Sequence, residues 1–442
     1  MPKNKIALKQ AGLQITAALF AILLLSSCDT GPPVLHNPKL KIPENQLMIR
    51  VMIVPHGRHV RIFARTPFRI MSADNSRQLL DEDNYTISKG AEITAIPGGI
   101  RIGRLKIIAE AVRLVPLTNE PIQVYEIVPH SYRGELLIYR NEIDNTVDVV
   151  NEVGLEDYLT GVLGREVSAS WPIEALKAQA VASRTRVLYQ REFARHNGER
   201  FDVRADDKDQ VYGGVSSDPN GHRIVEAVKA TAGEVLTYHG AIFKNYFSST
   251  CGGMTETAER VFRENPAHHP PGGIACPHCK PSPLHQWRHR IKATEATRRI
   301  GLHAGQELDT IKSIRTTGCD AAGHSLAVQV VHDKGTITFK NAYKFRTNVL
   351  GRSVQTEFWK DGKWHRAADV DPKHKEIIMS TSFKAKLVGQ YIEFTGRGWG
   401  HGVGMCQFGA MTLAGQQYSY RYILSFYYPG ALVAHNYNNQ IP

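Results

Sequence analysis

Several signatures that would commit a chain of 442 residues to a familiar role are missing from this one. There is no zinc-finger spacing of Cys and His, no basic helix leading into apolar heptads, and no aromatic-rich RNP run. The formal charge of +12 is therefore not attached to any nucleic-acid-reading module. That charge fits either a solvated basic surface or attraction to an anionic polymer or membrane surface, and cell wall is such a polymer. No internal repeat of fixed period is present, which argues against a solenoid or propeller. The apolar run centred on Ala17 to Leu25 is short for a membrane span. The acidic cluster in Phe201 to Gly214, FDVRADDKDQVYGG, lacks the glycine and terminal glutamate of a calcium loop, so it reads as a solvated turn. The glycine-rich stretch Gly396 to Ala410 is not followed by Lys-Ser/Thr and has no βαβ surroundings. It is neither a P-loop nor a dinucleotide fingerprint.

What is present begins with an export signal. Lys3, Lys5 and Lys9 precede the short apolar run, which ends in Leu25-Ser26-Ser27-Cys28. That tetrapeptide resembles the bacterial lipobox, which implies cleavage before Cys28 and lipidation of its thiol. The expectation is a signal peptide over 1–27, a Pro-rich tether over 28–46, and a membrane-anchored lipoprotein facing the cell wall or periplasm. Export places the remaining five of the six cysteines where disulfides can form.

From Leu47 the chain reads as short alternating runs separated by Gly, Pro, Asn and Asp. Leu47–Val54, Val60–Phe63, Phe68–Ile70, Tyr85–Ile87, Ile100–Ile102, Leu105–Val115, Val124–Val128, Leu136–Tyr139 and Val147–Asn151 are the expected strands. The expected fold class is α+β, a β-rich mixed architecture of short strands with a few helices. A β-rich part covers 47–150 and a core covers 151–435, with a Cys/His-rich insertion near 265–285.

The longest helix is expected within Leu155 to Tyr189, LEDYLTGVLGREVSASWPIEALKAQAVASRTRVLY, following the Glu166 turn. An apolar pattern broken by Gly161 and Gly164 leads to Glu166, and the chain then bends through Ser168 to Pro172. Pro172 suits a first helical turn, and Glu174 in that turn suits the helix dipole. Ala, Leu, Lys and Gln keep helix propensity high to Tyr189. Glu166 thus stands just before a helix with a close-packing Ala-rich stripe.

The same residues carry a resemblance to the stage II sporulation protein D / LytB (SpoIID/LytB) family, whose motif reads EDYL-x-GV-x-x-E, then P-x-EALKAQAVA-x-RT. The matching positions are Glu156 to Leu159, Gly161, Val162, Glu166, Pro172, Glu174 to Ala182, Arg184 and Thr185. Gln210 to Gly214 also match, as does the loop Gly396 to Ala410 against G-x-GHGVGM-x-Q-x-GA. The resemblance extends over nearly all of Leu47 to Gly430. It implies a lytic transglycosylase acting on peptidoglycan glycan strands stripped of stem peptides, with Glu166 as general acid and base. One carboxyl suffices for that reaction: it protonates the bridging oxygen, then takes the proton of the sugar's own C6 hydroxyl as a 1,6-anhydro ring closes. The resemblance also implies that Lys177, Arg184, Gln210, Tyr212, Ser249, Thr250, His401 and Gln407 serve substrate binding. The LytB branch implies a rival role, a peptidoglycan-binding activator of a wall amidase. Some relatives bind zinc through a His and two Cys near 201–214. Here Arg204, Asp206 and Asp209 stand in that vicinity without cysteine.

The cysteines leave their own question. Cys276-Pro277-His278-Cys279 is a single Cys-x-x-Cys pair, with Cys251 further upstream and His269, His278 or His285 nearby. A disulfide from Cys251 to one of the pair and a structural zinc on Cys251, Cys276 and Cys279 both stay open, and no other cofactor is expected. Phe358 to Trp364 reads as a hairpin around Asp361-Gly362.

Overall fold

A computed structural model describes residues 47–79, 85–125, 129–206, 209–215, 218–320, 323–350, 356–360, 363–366 and 378–435. The signal peptide, Cys28 and the tether lie outside the described residues, as does the Asp361-Gly362 turn.

The first part is one antiparallel-dominated sheet of eleven strands. In chain order these are β1 (Met48–Gly57), β2 (Val60–Ser72), β3 (Tyr85–Ile96), β4 (Gly99–Ile102), β5 (Leu105–Ile107), β6 (Ala111–Pro116), β7 (Ile122–Tyr125), β8 (Pro129–Tyr132), β9 (Glu135–Asn141), β10 (Thr146–Gly154) and β11 (Val203–Arg204). Their order across the sheet is β11-β1-β10-β9-β6-β2-β3-β4-β5, with β7 pairing β2 and β8. The runs at Val60 and Phe68, separate in the sequence reading, belong to one strand. Register shifts between Ile62 and Phe68 let β2 bend and pair with β3, β6 and β7 in turn. Alternate residues such as Ile49, Val51, Val60, Ile62, Val112 and Leu114 are fully buried, which is what a pleat facing one core demands.

β10 runs without a loop into helix α1 (Leu155–Glu166), whose Leu155 N–H bonds the Leu47 carbonyl. The glycines do not break this helix. Gly161 lets it pack tightly, because a Cβ there would lie 2.6 Å from the Tyr212 ring. Helix α2 (Ile173–His196) is longer than the sequence pattern suggested, with Pro172 one residue outside it as the cap. It is buried along most of its length, and side chains such as Leu176, Val181, Val187 and Leu188 contribute about 1.5–3 kcal/mol each. Helix α3 (Gly221–Ala230) packs across α1 and α2.

β12 (Glu234–Tyr238), β13 (Ala241–Ile242) and the two-residue β14 (Phe247–Ser248) follow, then the short helix α4 (Ala258–Phe262). A second core forms where β15 (Gln286–Lys292), helix α5 (Ala293–Ala304) and β16 (Ile311–Cys319), β17 (Ser325–His332) and β18 (Gly335–Phe339) meet β19 (Thr356–Lys360), β20 (Lys363–Arg366), β21 (Phe383–Val388) and β22 (Tyr391–Arg397). The expected hairpin is present, with Trp359 opposite Trp364. Trp287 fills this core, and its indole N–H donates to the Gly398 carbonyl at 2.8 Å, fixing one end of the glycine loop. The chain returns to the first lobe through β23 (Met405–Cys406), parallel to β14, then helices α6 (Gln407–Gly415) and α7 (Tyr420–Tyr427) and β24 (Leu432–His435), which pairs with β12. The architecture is α+β.

Candidate functional site

Glu166 is the last residue of α1 and is partly exposed, with its carboxyl closely surrounded. One oxygen accepts the Val211 backbone N–H at 3.3 Å and the other the Gln407 side-chain amide at 3.5 Å. Among the described residues it has no ion pair. Burial pushes its pKa above the ordinary carboxylate value, and the two hydrogen bonds only partly oppose this. A carboxyl so placed holds a proton to higher pH than a solvated one, which is the requirement for a general acid.

Each partner is positioned in turn. The segment carrying Val211 is pinned on α1: Gly213 N–H bonds the Gly161 carbonyl, and the Tyr212 ring packs tilted against that of Tyr158, 5.1 Å between ring centres. Tyr158 OH donates to Gln210 Oε1, and the buried Gln210 Nε2 has no hydrogen-bond partner among the described residues. Gln407 opens α6 and also donates to Gln179 Oε1 of α2 at 3.4 Å. Positions 211 and 407 thus meet at the carboxyl of residue 166, with Gln179 behind Gln407 and Gln210 held by Tyr158.

His401 lies on the glycine loop, its Nδ1 accepting the Val403 N–H at 3.0 Å and its ring edge-on to Phe262 and Tyr246. Burial, with Arg186 and Arg346 nearby, lowers its pKa to about 3, so the ring is neutral at ordinary pH. Gly404 has φ +73°, and a Cβ there would meet the Tyr246 carbonyl at 1.9 Å, so the loop's close approach to β14 requires glycine. Ser249 and Thr250 sit beside this loop. The Thr250 N–H and carbonyl pair with those of Trp399, and the Ser249 carbonyl accepts the Phe408 N–H. Thr250 is buried with its hydroxyl on Ser282.

Other expected substrate contacts are occupied elsewhere. Arg184 is buried and reaches away from Glu166: its guanidinium forks onto Glu156 at 2.7 and 3.0 Å and bonds the Val228 and Glu234 carbonyls. The arginine that α2 directs toward His401 is Arg186, which lies over the Tyr246 ring at 4.7 Å. Two residues along a helix is about 200°, so 184 and 186 face opposite ways, a signal present in the sequence. Lys177 pairs with Glu174 at 2.7 Å. Tyr212 OH donates to Asn151, and Tyr212 is more a wall of the site than a free hydroxyl. A separate cavity lined by Arg133, Asp157, Thr160, Tyr212 and Ile224 shares Tyr212 with these surroundings but does not include Glu166.

Near 201–214 Asp206 and Asp209 are engaged by the chain itself. Asp209 accepts the Arg204 N–H and the Gln190 amide, and Asp206 pairs with Arg204. That arrangement does not fit the zinc site of some relatives. The cysteine group differs from expectation: Cys251, Cys276 and Cys279 are joined by Cys406, all buried and all free thiols, with no disulfide among them. A lone cysteine inside the glycine motif gave no spacing signal to link it to the others. A further buried group, Glu256 with Asp320 and His324, underlies the glycine loop, whose Gly402 carbonyl accepts the Glu256 N–H.

The SpoIID family profile, described as Stage II sporulation protein, matches residues 143–238, the span that contains Glu166, α2 and the Gln210 segment. An uncharacterised protein of Brachyspira hyodysenteriae is 34% identical over 302 residues, spanning 68% of this chain and 71% of its own. Stage II sporulation protein D of Bacillus subtilis is 28% identical over 298 residues, 64% of this chain and 76% of its own. The amidase enhancer of Bacillus subtilis is 26% identical over 389 residues; the alignment takes in 81% of this chain and 52% of that protein. With the Glu166 helix, the Gln210 segment and the glycine loop assembled as its motifs require, the chain belongs to the SpoIID/LytB family.

Proposed function

We propose that this protein is a peptidoglycan lytic transglycosylase with Glu166 as general acid and base. A cell-wall role follows from the family. The finer reading rests on one observation, a carboxyl without an ion pair whose pKa burial raises and whose oxygens are oriented by Val211 and Gln407. Protonated, Glu166 donates to the glycosidic oxygen of a glycan strand. As carboxylate, it accepts the C6 hydroxyl proton while that oxygen closes on C1, so no water is consumed. The basic surface favours an anionic wall, and lipidation at Cys28 would hold the enzyme beside it.

The likeness to the amidase enhancer supports a second reading, a wall-binding activator of a separate amidase. Mass spectrometry of denuded glycan strands after incubation with the purified protein distinguishes them. Products with anhydro ends, one water lighter than hydrolysis products, are expected from the enzyme. Intact strands, together with stimulation of an amidase that is indifferent to Glu166→Gln, would establish the activator instead.

A further inference from the structure

We propose that Cys251, Cys276, Cys279 and Cys406 hold one zinc ion in a closed tetrathiolate site that fixes α6, and with it Gln407, beside Glu166. The four thiols come from three separate segments: the loop after β14, the one-turn helix Pro277–Cys279 with its capping residue Cys276, and the residue that caps α6. Their sulfur atoms all lie within 4.8 Å of one another. Cys251 and Cys279 are 3.7 Å apart. Two sulfurs on a tetrahedral zinc at about 2.3 Å stand about 3.8 Å apart, whereas a disulfide bond is only about 2.05 Å long.

The surroundings are those of thiolates around a cation. The Cys251 N–H points at the Cys406 sulfur at 3.3 Å. Tyr427 OH lies 3.1 Å from the Cys276 sulfur, and His285 Nδ1 lies 3.5 Å from that of Cys279. Such outer donors orient metal-bound thiolates. The sequence also keeps the space clear: a Cβ at Gly409 would meet the Cys276 sulfur at 2.9 Å. Cys251 is 3% exposed and the other three 0%, so four protein ligands fill the tetrahedron and leave no position for water. That makes the site structural rather than catalytic. Binding takes Zn²⁺ and four thiols to one tetrathiolate and releases four protons.

The consequence for the site is mechanical. Cys406 precedes Gln407 directly, and Cys251 follows Ser249 and Thr250. One ion therefore ties the backbone beneath the Glu166 partner to the loop that pairs with Trp399. This assignment does not depend on what Glu166 does.

The full chain, purified without chelator, is expected to carry about one zinc per molecule by inductively coupled plasma mass spectrometry. A mercurial reagent should release it as the thiols are titrated. Exchange for cobalt(II) should give the visible bands and sulfur-to-metal charge transfer of a tetrahedral tetrathiolate. Cys406→Ser should reduce bound zinc at least about tenfold, and Cys319→Ser, at an exposed cysteine outside the group, should leave it unchanged. If Cys406→Ser does not fold, the wild-type cobalt spectrum still decides. A disulfide between any two of the four in the native chain, an iron–sulfur spectrum, or failure of the reduced chain to take up zinc or cobalt would overturn the assignment.

Discussion

Replacing Glu166 by Gln isolates the transferable proton from everything else the side chain does. The wild-type carboxyl accepts two hydrogen bonds, at 3.3 Å from Val211 and 3.5 Å from Gln407. A glutamine at 166 keeps one acceptor oxygen but turns an NH₂ toward the other donor, losing about 1 kcal/mol. Removing a buried charge acts in the opposite direction, so the melting temperature is expected to move by about 2 °C at most at neutral pH. The rate is another matter. General acid–base groups contribute roughly 10²–10⁴, about 2.7–5.4 kcal/mol of barrier, several times any effect on folding. Turnover of denuded glycan, read as anhydro products by mass spectrometry, should fall by at least the lower factor while binding persists. The pH dependence follows from the same burial. Glu166 binds its proton more tightly folded than unfolded, so its stabilising contribution is complete below the unfolded value near 4.5. It is lost as pH rises through the raised folded value. The variant should therefore gain stability relative to wild type between about pH 4.5 and neutrality, and wild-type activity should fall over the same rise as the acid deprotonates. Undiminished turnover in a folded Glu166→Gln protein would refute the assignment of the acid. An unchanged stability difference across that pH range would refute the effect of burial.

Glu174 does more than meet its own helix dipole: its second oxygen accepts the Tyr420 N–H at the start of α7, at 2.8 Å. Glu174→Ala should cost about 1.5–3 kcal/mol in denaturant unfolding, against the 0.3–1 expected of a dipole charge, with turnover per folded molecule unchanged. Arg184→Met should lower stability by about 3 kcal/mol, since it strips buried carbonyls of donors and unpairs Glu156, while leaving KM near wild type. His324 is buried, which opposes its charge, but Glu256 and Asp320, the latter also paired with Arg260, raise its pKa. Its contribution is complete below about pH 6.5 and lost as pH rises through the raised value, so the melting-temperature gap to His324→Asn should narrow on the alkaline side. Radiolabelled palmitate should enter the native chain in cells and not Cys28→Ala; equal labelling would refute lipidation there.

The sequence alone determined the local matters. Alternation of apolar residues marked the strands of the first sheet, because a half-buried pleat imposes a period of two. Propensity and a proline marked the start of α2, and the motif singled out Glu166. It gave no reason for Gly161, since local preference disfavours glycine in a helix and only the Tyr212 ring across the contact shows why no side chain fits. It named Arg184 from the motif, and a motif match says that a residue is needed, not whether it braces the fold or faces the site. The tertiary structure decided the rest. Gln407, 241 positions from Glu166, meets it only because β23 pairs with β14 and delivers α6 to that spot. Cys406 joins three distant cysteines through the same pairing. Chemistry of this kind depends on distances of a few ångströms between segments hundreds of residues apart, and no local periodicity encodes which segments will meet.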